Sequence, residues 1–211
     1  MAEALNDAFP TIAAQPYVWP FDGRWSPDDT ALLLLGFQVA PVAELAAQAE
    51  LSVATGLLNA AAARGITIVG VRRGYGPQES PLAARRRVLG DPIPQQDSAE
   101  WRFDDRLPLP ADSIVVDIAG DNAFFGTGLE ETLRGRGIRN LLVTGLPTEG
   151  LVHATQRAAN DMGFECLAVA DACKGTSSQR HSAQLRITTF GNGLFGTVAN
   201  SADVHSALKN L

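Results

Sequence analysis

The sequence predicts an α/β protein: a six-stranded, mainly parallel sheet, doubly wound, with helices on both faces in three layers. Three observations carry that reading. Short apolar runs without polar alternation recur along the chain, as strands covered on both faces require. Helical stretches follow these runs with short links, the pattern of a doubly wound sheet with right-handed crossovers. The 211 residues fit one compact domain, since about 100–200 residues per domain is ordinary.

Residues 1–29 hold two Trp, one Tyr, two Phe and four Pro with no sustained period. They read as an aromatic arm ahead of a single domain at 30–211. Tyr17, Trp19, Phe21 and Trp25 need a surface to cover, either the arm's own domain or a neighbouring subunit. Thr30 to Gly36 is a continuous apolar run and the first covered strand. Val42 to Arg64 is rich in Ala and Leu and reads as a helix stopped by Gly65. Ile66 to Val71 is a second strand, with β-branched support. Pro77 to Arg106 has little period, and Arg85, Arg86 and Arg87 read as a solvated helix face. Ser113–Ile118 is the third strand, and 128–136 a helix with Asn122 or Thr127 as candidate caps. Leu141–Thr144 is a strand, Thr148–Met162 a helix and Cys166–Ala170 a strand. Ser177–Thr188 reads as a helix, Leu194–Val198 as a short strand, and a tail helix starts at Ala202.

Composition narrows the function classes. Hydrophobic residues make up 45% and charged residues 19%, enough for a sizeable core and unlike a disordered chain. Seventeen Lys+Arg against 23 Asp+Glu give a net charge of −6, which argues against a general nucleic-acid or anionic-membrane binder. Two cysteines make no disulfide scaffold. The N-terminus is acidic where a signal peptide is basic, and no apolar run is long enough for a membrane span. A cytoplasmic location is the expectation.

Ligands of such sheets collect beyond the carboxyl ends of the strands. That places the candidate site at Gly36–Gln38, Arg72–Tyr75, Ile118–Phe125, Leu146–Leu151 and Asp171–Thr176. His153, His181 and His205 fall outside it and read as structural or surface histidines. No metal-ligand spacing, dinucleotide fingerprint, P-loop or nucleophile elbow is present, so neither cofactor nor metal is expected. Cys166 reads as a small hydrophobe inside a strand. Cys173 follows that strand beside Lys174, whose charge would favour thiolate at close range, but no base is evident, and it too reads as inert.

The stretch AFFGTGLEETLRGRGIRNLLVTGLPTEGLVHATQRAANDMGFECLAVADAC, with ALLLLGFQ before it and GLFGTVANSADV after it, resembles the isochorismatase-like cysteine hydrolases. The likeness is to the amidohydrolase branch acting on ureido compounds, and it fades between about residues 39 and 112. It implies the strand order 3-2-1-4-5-6. It also implies a triad of a carboxylate base, a lysine that stabilises charge and a cysteine nucleophile at a helix start. An oxyanion hole of backbone N–H groups would complete the site. The matching positions here are Gly36, Ile118 and Leu151, none of which ionises. The resemblance places Tyr75 where relatives carry a metal- or substrate-facing histidine, and implies a strained or cis peptide before Leu151. The remaining pocket would comprise Gln38, Tyr75, Phe124, Thr148, Glu149, Gly150 and Cys173. Thr148, Thr155 and Cys173 are nearby nucleophile types with no evident base, and Asp117 and Asp121 read as structural.

Two readings follow. One is a non-catalytic structural or regulatory subunit, or a small-ligand binder; the other is an amide or ureido hydrolase with a rearranged site. The resemblance further implies an oligomer, of like chains or with an active relative.

Overall fold

The computed structural model describes residues 9–76, 80–90 and 93–209. The acidic start of the arm lies outside the described residues. Among them, one sheet holds β1 (Thr30–Leu35), β2 (Thr67–Arg73), β3 (Ile114–Ile118), β4 (Asn140–Gly145), β5 (Glu165–Cys173) and β6 (Thr197–Ala199). The order is β3-β2-β1-β4-β5-β6, and every neighbouring pair is parallel. The helices are α1 (Val39–Glu44), α2 (Gln48–Ala62), α3 (Pro81–Val88), α4 (Leu129–Gly135), α5 (His153–Asp161), α6 (Ser178–Thr188), α7 (Phe190–Gly193) and α8 (Ser201–Lys209).

The unbroken apolar text of β1 has its reason in two cores. All six of its residues are buried. Leu32 and Leu34 point into a cluster with α2, α8 and the arm, while Ala31, Leu33 and Leu35 point into a second with α4 and α5. α2 feeds the first cluster through Leu51, Ala54, Leu57, Leu58 and Ala61, a helical stripe at three- and four-residue spacing. Trp19 and Trp25 close it, 0% and 1% exposed, with ring centroids 5.2 Å apart. The Trp25 indole N–H donates to the Pro10 carbonyl at 3.0 Å. The described part of the arm thus lies on its own domain. Tyr17 is half-buried, but Phe21, expected to be covered, is 72% exposed.

Several elements differ from the sequence reading. The helix expected over 42–64 is two, α1 and α2, parted where Ala46 takes a left-handed φ of 49°. At the break the Ala46 and Ala47 amides bond back to the carbonyls of Ala43 and Val42, closing α1 before α2 begins, while the amides of Val39 and Ala40 at the start of α1 donate to the carbonyls of Arg102 and Glu100. β5 runs on to Cys173, three residues past the expected end, because the Thr148 amide and the Lys174 carbonyl join the ends of β4 and β5. The helix expected from Thr148 begins as a π-helical turn, Thr148–Val152, before α5. At 194–198 the strand is only Thr197–Ala199, since left-handed Gly191 and Asn192 shape a turn ahead of it.

Candidate functional site

The sheet order reverses direction beside β1, with β2 on one side and β4 on the other. The chain leaving each strand there opens a cavity of about 340 Å³. Its wall takes Glu44 and Leu45 from the segment after β1, Arg73 from the end of β2 and Asp121 from beyond β3. Pro147, Glu149 and Gly150 follow β4, Thr176 follows β5, and Arg86 and Arg180 come from α3 and α6.

Beneath this wall lie the three positions that the resemblance equates with a triad. Leu151 is 0% exposed and Ile118 is 5% exposed, both in the apolar cluster of Leu35, Val71 and Phe124. Gly36 ends β1 with φ +70°, and its amide donates to the Val71 carbonyl at 2.9 Å. A Cβ on residue 36 would stand 2.5 Å from the Leu146 carbonyl oxygen and 3.1 Å from Leu151 Cδ2. The backbone itself therefore excludes a side chain at this spot. The cis peptide of this region is Leu146–Pro147, four residues before Leu151 and not at the bond preceding it.

The wall, by contrast, is charged. Arg73 and Arg86 each donate to a different oxygen of Asp121 through one terminal nitrogen. Arg86 thus turns inward, its side chain 17% exposed, while Arg85 and Arg87 face solvent as the sequence suggested. Glu149 accepts from the Thr176 amide at 2.9 Å and from the Thr176 hydroxyl. Burial works against its charged form, yet these bonds and nearby Arg180 hold its carboxyl below the usual range.

The other pocket candidates have different roles. Gln38 is wholly buried and acts as a clamp: its amide nitrogen donates to the carbonyls of Arg73 and Trp101, and its oxygen accepts from the Arg73 amide. Phe124 packs inside the apolar cluster, stacked on Phe164 at 5.8 Å. Tyr75 is half-buried and ties the 94–96 segment through its backbone amide and carbonyl. Cys173 sits inside β5, where burial pushes its thiol up to about 12. Lys174 does not offset this, because its ammonium turns to Glu50 and the Ala46 carbonyl. Asp117 makes a two-point pair with Arg72, whose guanidinium stacks on Trp101 at 3.6 Å.

Sequence reasoning missed one partnership. His181 Nδ1 stands 2.8 Å from the Thr148 hydroxyl oxygen, so Thr148 does have a base within reach. Burial keeps that imidazole below the ordinary histidine range, and Lys174 adds to the effect against the pull of Glu149 and Glu50. His181 lines a second cavity of about 400 Å³ with Glu50, Asp171, Cys173 and Lys174. Thr148 is only 1% exposed. The one local signal was the short link after each of β4 and β5, which sets the two following segments side by side. Among the described residues, no group of three or more His, Cys, Asp or Glu could hold a metal ion.

Comparison with known proteins fixes the family. The isochorismatase domain matches residues 30–203. The chain belongs to the isochorismatase family. Within that family, it is 30% identical to the ureidoacrylate amidohydrolase RutB of Methylorubrum extorquens, over 84% of this chain and 75% of that protein. Other matches are shorter: the isochorismatase family protein YecD of Escherichia coli O157:H7 is 33% identical over 89 residues. The chain spans less than half the length, 44%, of that relative. The crystal structure of a cysteine hydrolase from Pseudomonas syringae pv. phaseolicola superposes with a TM-score of 0.77 at 19% identity, covering 95% of this chain and 97% of that one. This isochorismatase-family chain therefore shares the hydrolase fold, with amidohydrolases among its homologues. No helix among the described residues is long and apolar enough to cross a membrane.

Proposed function

We propose that this protein is a non-catalytic member of the isochorismatase family that keeps a ligand cavity above a filled-in floor. The observation behind this reading is the floor itself: Leu151 and Ile118 are buried in one apolar cluster and Gly36 is pressed against Leu151. A family-type amide cleavage needs a thiolate, a carboxylate to take its proton and a cation to favour the charged forms. None of the three side chains ionises, so no shift of pKa can supply them. Cys173 is no substitute, since burial holds it protonated at neutral pH.

The test uses the unaltered protein, purified free of host hydrolases. Ammonia release from ureido and amide compounds, and conversion of isochorismate-type compounds, are followed through successive purification steps. The expected result is no turnover that tracks the protein. Turnover at constant specific activity, lost in Cys173→Ala, overturns the reading.

One contact favours a rearranged hydrolase, the hydroxyl–imidazole pair of Thr148 and His181 at 2.8 Å. Its weakness is access, because a nucleophile must meet substrate and Thr148 is almost fully covered. Turnover abolished by both Thr148→Val and His181→Asn would support that second reading. Assembly belongs to the same proposal: Val18 and Phe21 of the arm remain 56% and 72% exposed and would gain from a second subunit. Light scattering on the full chain and on a chain lacking residues 1–25 checks this, and an unchanged mass excludes the arm as an assembly element.

A further inference from the structure

The two cavities at the strand ends share Glu44, Leu45 and Thr176, so they adjoin along a common wall. Their charge is unevenly spread. Arg73 and Arg86 flank Asp121 at one end. Towards the other end stand Glu44, Glu50 and Asp171, with Lys174 bound to Glu50. Asp171 is occupied in holding the amide and hydroxyl of Ser201 at the start of α8. Glu50 is occupied by Lys174. Glu44, on the wall common to both cavities, is exposed, and its carboxylate has no hydrogen bond or ion pair among the described residues.

The arginine end differs from two other ion pairs of this molecule. Arg72 with Asp117, and Arg106 with Asp104, close two parallel bonds from the guanidinium fork onto both carboxylate oxygens. Asp121 is instead shared end-on, and Arg73 spends a single terminal nitrogen on it. A guanidinium carries five N–H donors in a planar fork suited to a carboxylate. Arg73 therefore keeps donors for a further oxygen pair, with its side chain only 14% exposed and on the cavity wall. Asp121 fixes the guanidinium in place, which lowers the ordering cost of binding.

We propose that the cavity lined by Arg73 and Glu44 binds a small zwitterion, its carboxylate on Arg73 beside Arg86 and its ammonium at Glu44. This deepens the ligand-binding reading above and rests on it. A plain anion would satisfy the arginine end but leave the Glu44 carboxylate without a counter-charge, whereas Glu149 of the same cavity is already held by Thr176 with Arg180 nearby. A plain amine would meet Glu44 and oppose the arginines. At about 30 Å³ per water-sized group, the 340 Å³ cavity admits roughly ten non-hydrogen atoms, the size of a short amino acid.

The test is ligand-observed NMR on the full chain with four probes: β-alanine, γ-aminobutyrate, propionate and propylamine. At least one zwitterion binds about tenfold more tightly than propionate, and propylamine does not bind at about 10 mM. Arg73→Gln loses about tenfold for zwitterion and propionate alike, whereas Glu44→Gln brings the zwitterion down to the level of propionate. The Glu44 carboxylate is exposed and pairs with no described residue, so its variant folds even where the Arg73 variant fails. Absence of zwitterion binding, propionate equal to the zwitterions, or an unaffected Glu44→Gln each overturn the proposal. No probe contains a hydrolysable amide. Failure here therefore leaves the non-catalytic reading standing, and turnover in the ammonia assay sinks that reading without touching this one.

Discussion

Two layers at the strand ends have been built on opposite principles. The floor, with Gly36, Ile118 and Leu151, is packed like the rest of the second core and exposes almost nothing. The wall above it is crowded with guanidinium and carboxylate groups that share partners. A floor of this kind gains stability from apolar burial and loses it when polarity enters. The wall's groups hold one another through charged hydrogen bonds that keep some exposure to solvent. The lesson is that a fold's ligand region can be separated into a layer that sets stability and a layer that sets recognition.

That contrast makes graded predictions. Leu151→Asp should do most damage, burying an unpaired carboxylate where exposure is 0%. The expected cost is about 4 kcal/mol or more, read as loss of a cooperative urea transition. A folded, stable Asp variant would show that the floor is open to water. Gly36→Ala comes next. A left-handed φ costs a side-chain-bearing residue about 1–2 kcal/mol, and the clash with the Leu146 carbonyl adds to it. Denaturant midpoints should record a total near 3 kcal/mol, whereas an unchanged midpoint would mean the β1–β4 junction yields easily. In the wall, Asp121→Asn should cost about 2 kcal/mol, since it weakens two charged hydrogen bonds that keep some solvent.

Acidification should have the smallest effect. Burial lowers His153 and His181 in the folded protein. The unfolded chain takes up protons near pH 6.5 while the folded one resists, so stability falls as pH drops through that value. The loss ends once pH passes below the lowered folded values. His181→Asn should flatten the fall between pH 7 and 5, and an identical slope would show that His181 is not the group responsible.

Much of this frame was legible in the residues. TALLLL reads as a strand covered on both faces, and it lies between β2 and β4 in the sheet. The wall was less legible because it is assembled from remote pieces. Nothing around Arg86 marks it off from Arg85 and Arg87; only the packing of α3 towards Asp121, 35 residues on, turns it inward. Gln38 followed the expected strand and looked like a pocket residue, yet its partners Arg73 and Trp101 lie 35 and 63 residues away. The meeting of Thr148 with His181, 33 residues apart, has the same origin. Local pattern reports which face is apolar, whereas charge pairing across loops is decided by tertiary geometry.

The central claim is that the floor carries no chemistry. A time course by ¹³C NMR tests it most directly, using N-carbamoyl-β-alanine labelled at the ureido carbonyl and protein at substrate-level concentration. The carbonyl resonance is expected to keep its area over time as in the protein-free control. Conversion of that resonance to labelled bicarbonate in proportion to the protein added, retained through purification, would contradict it.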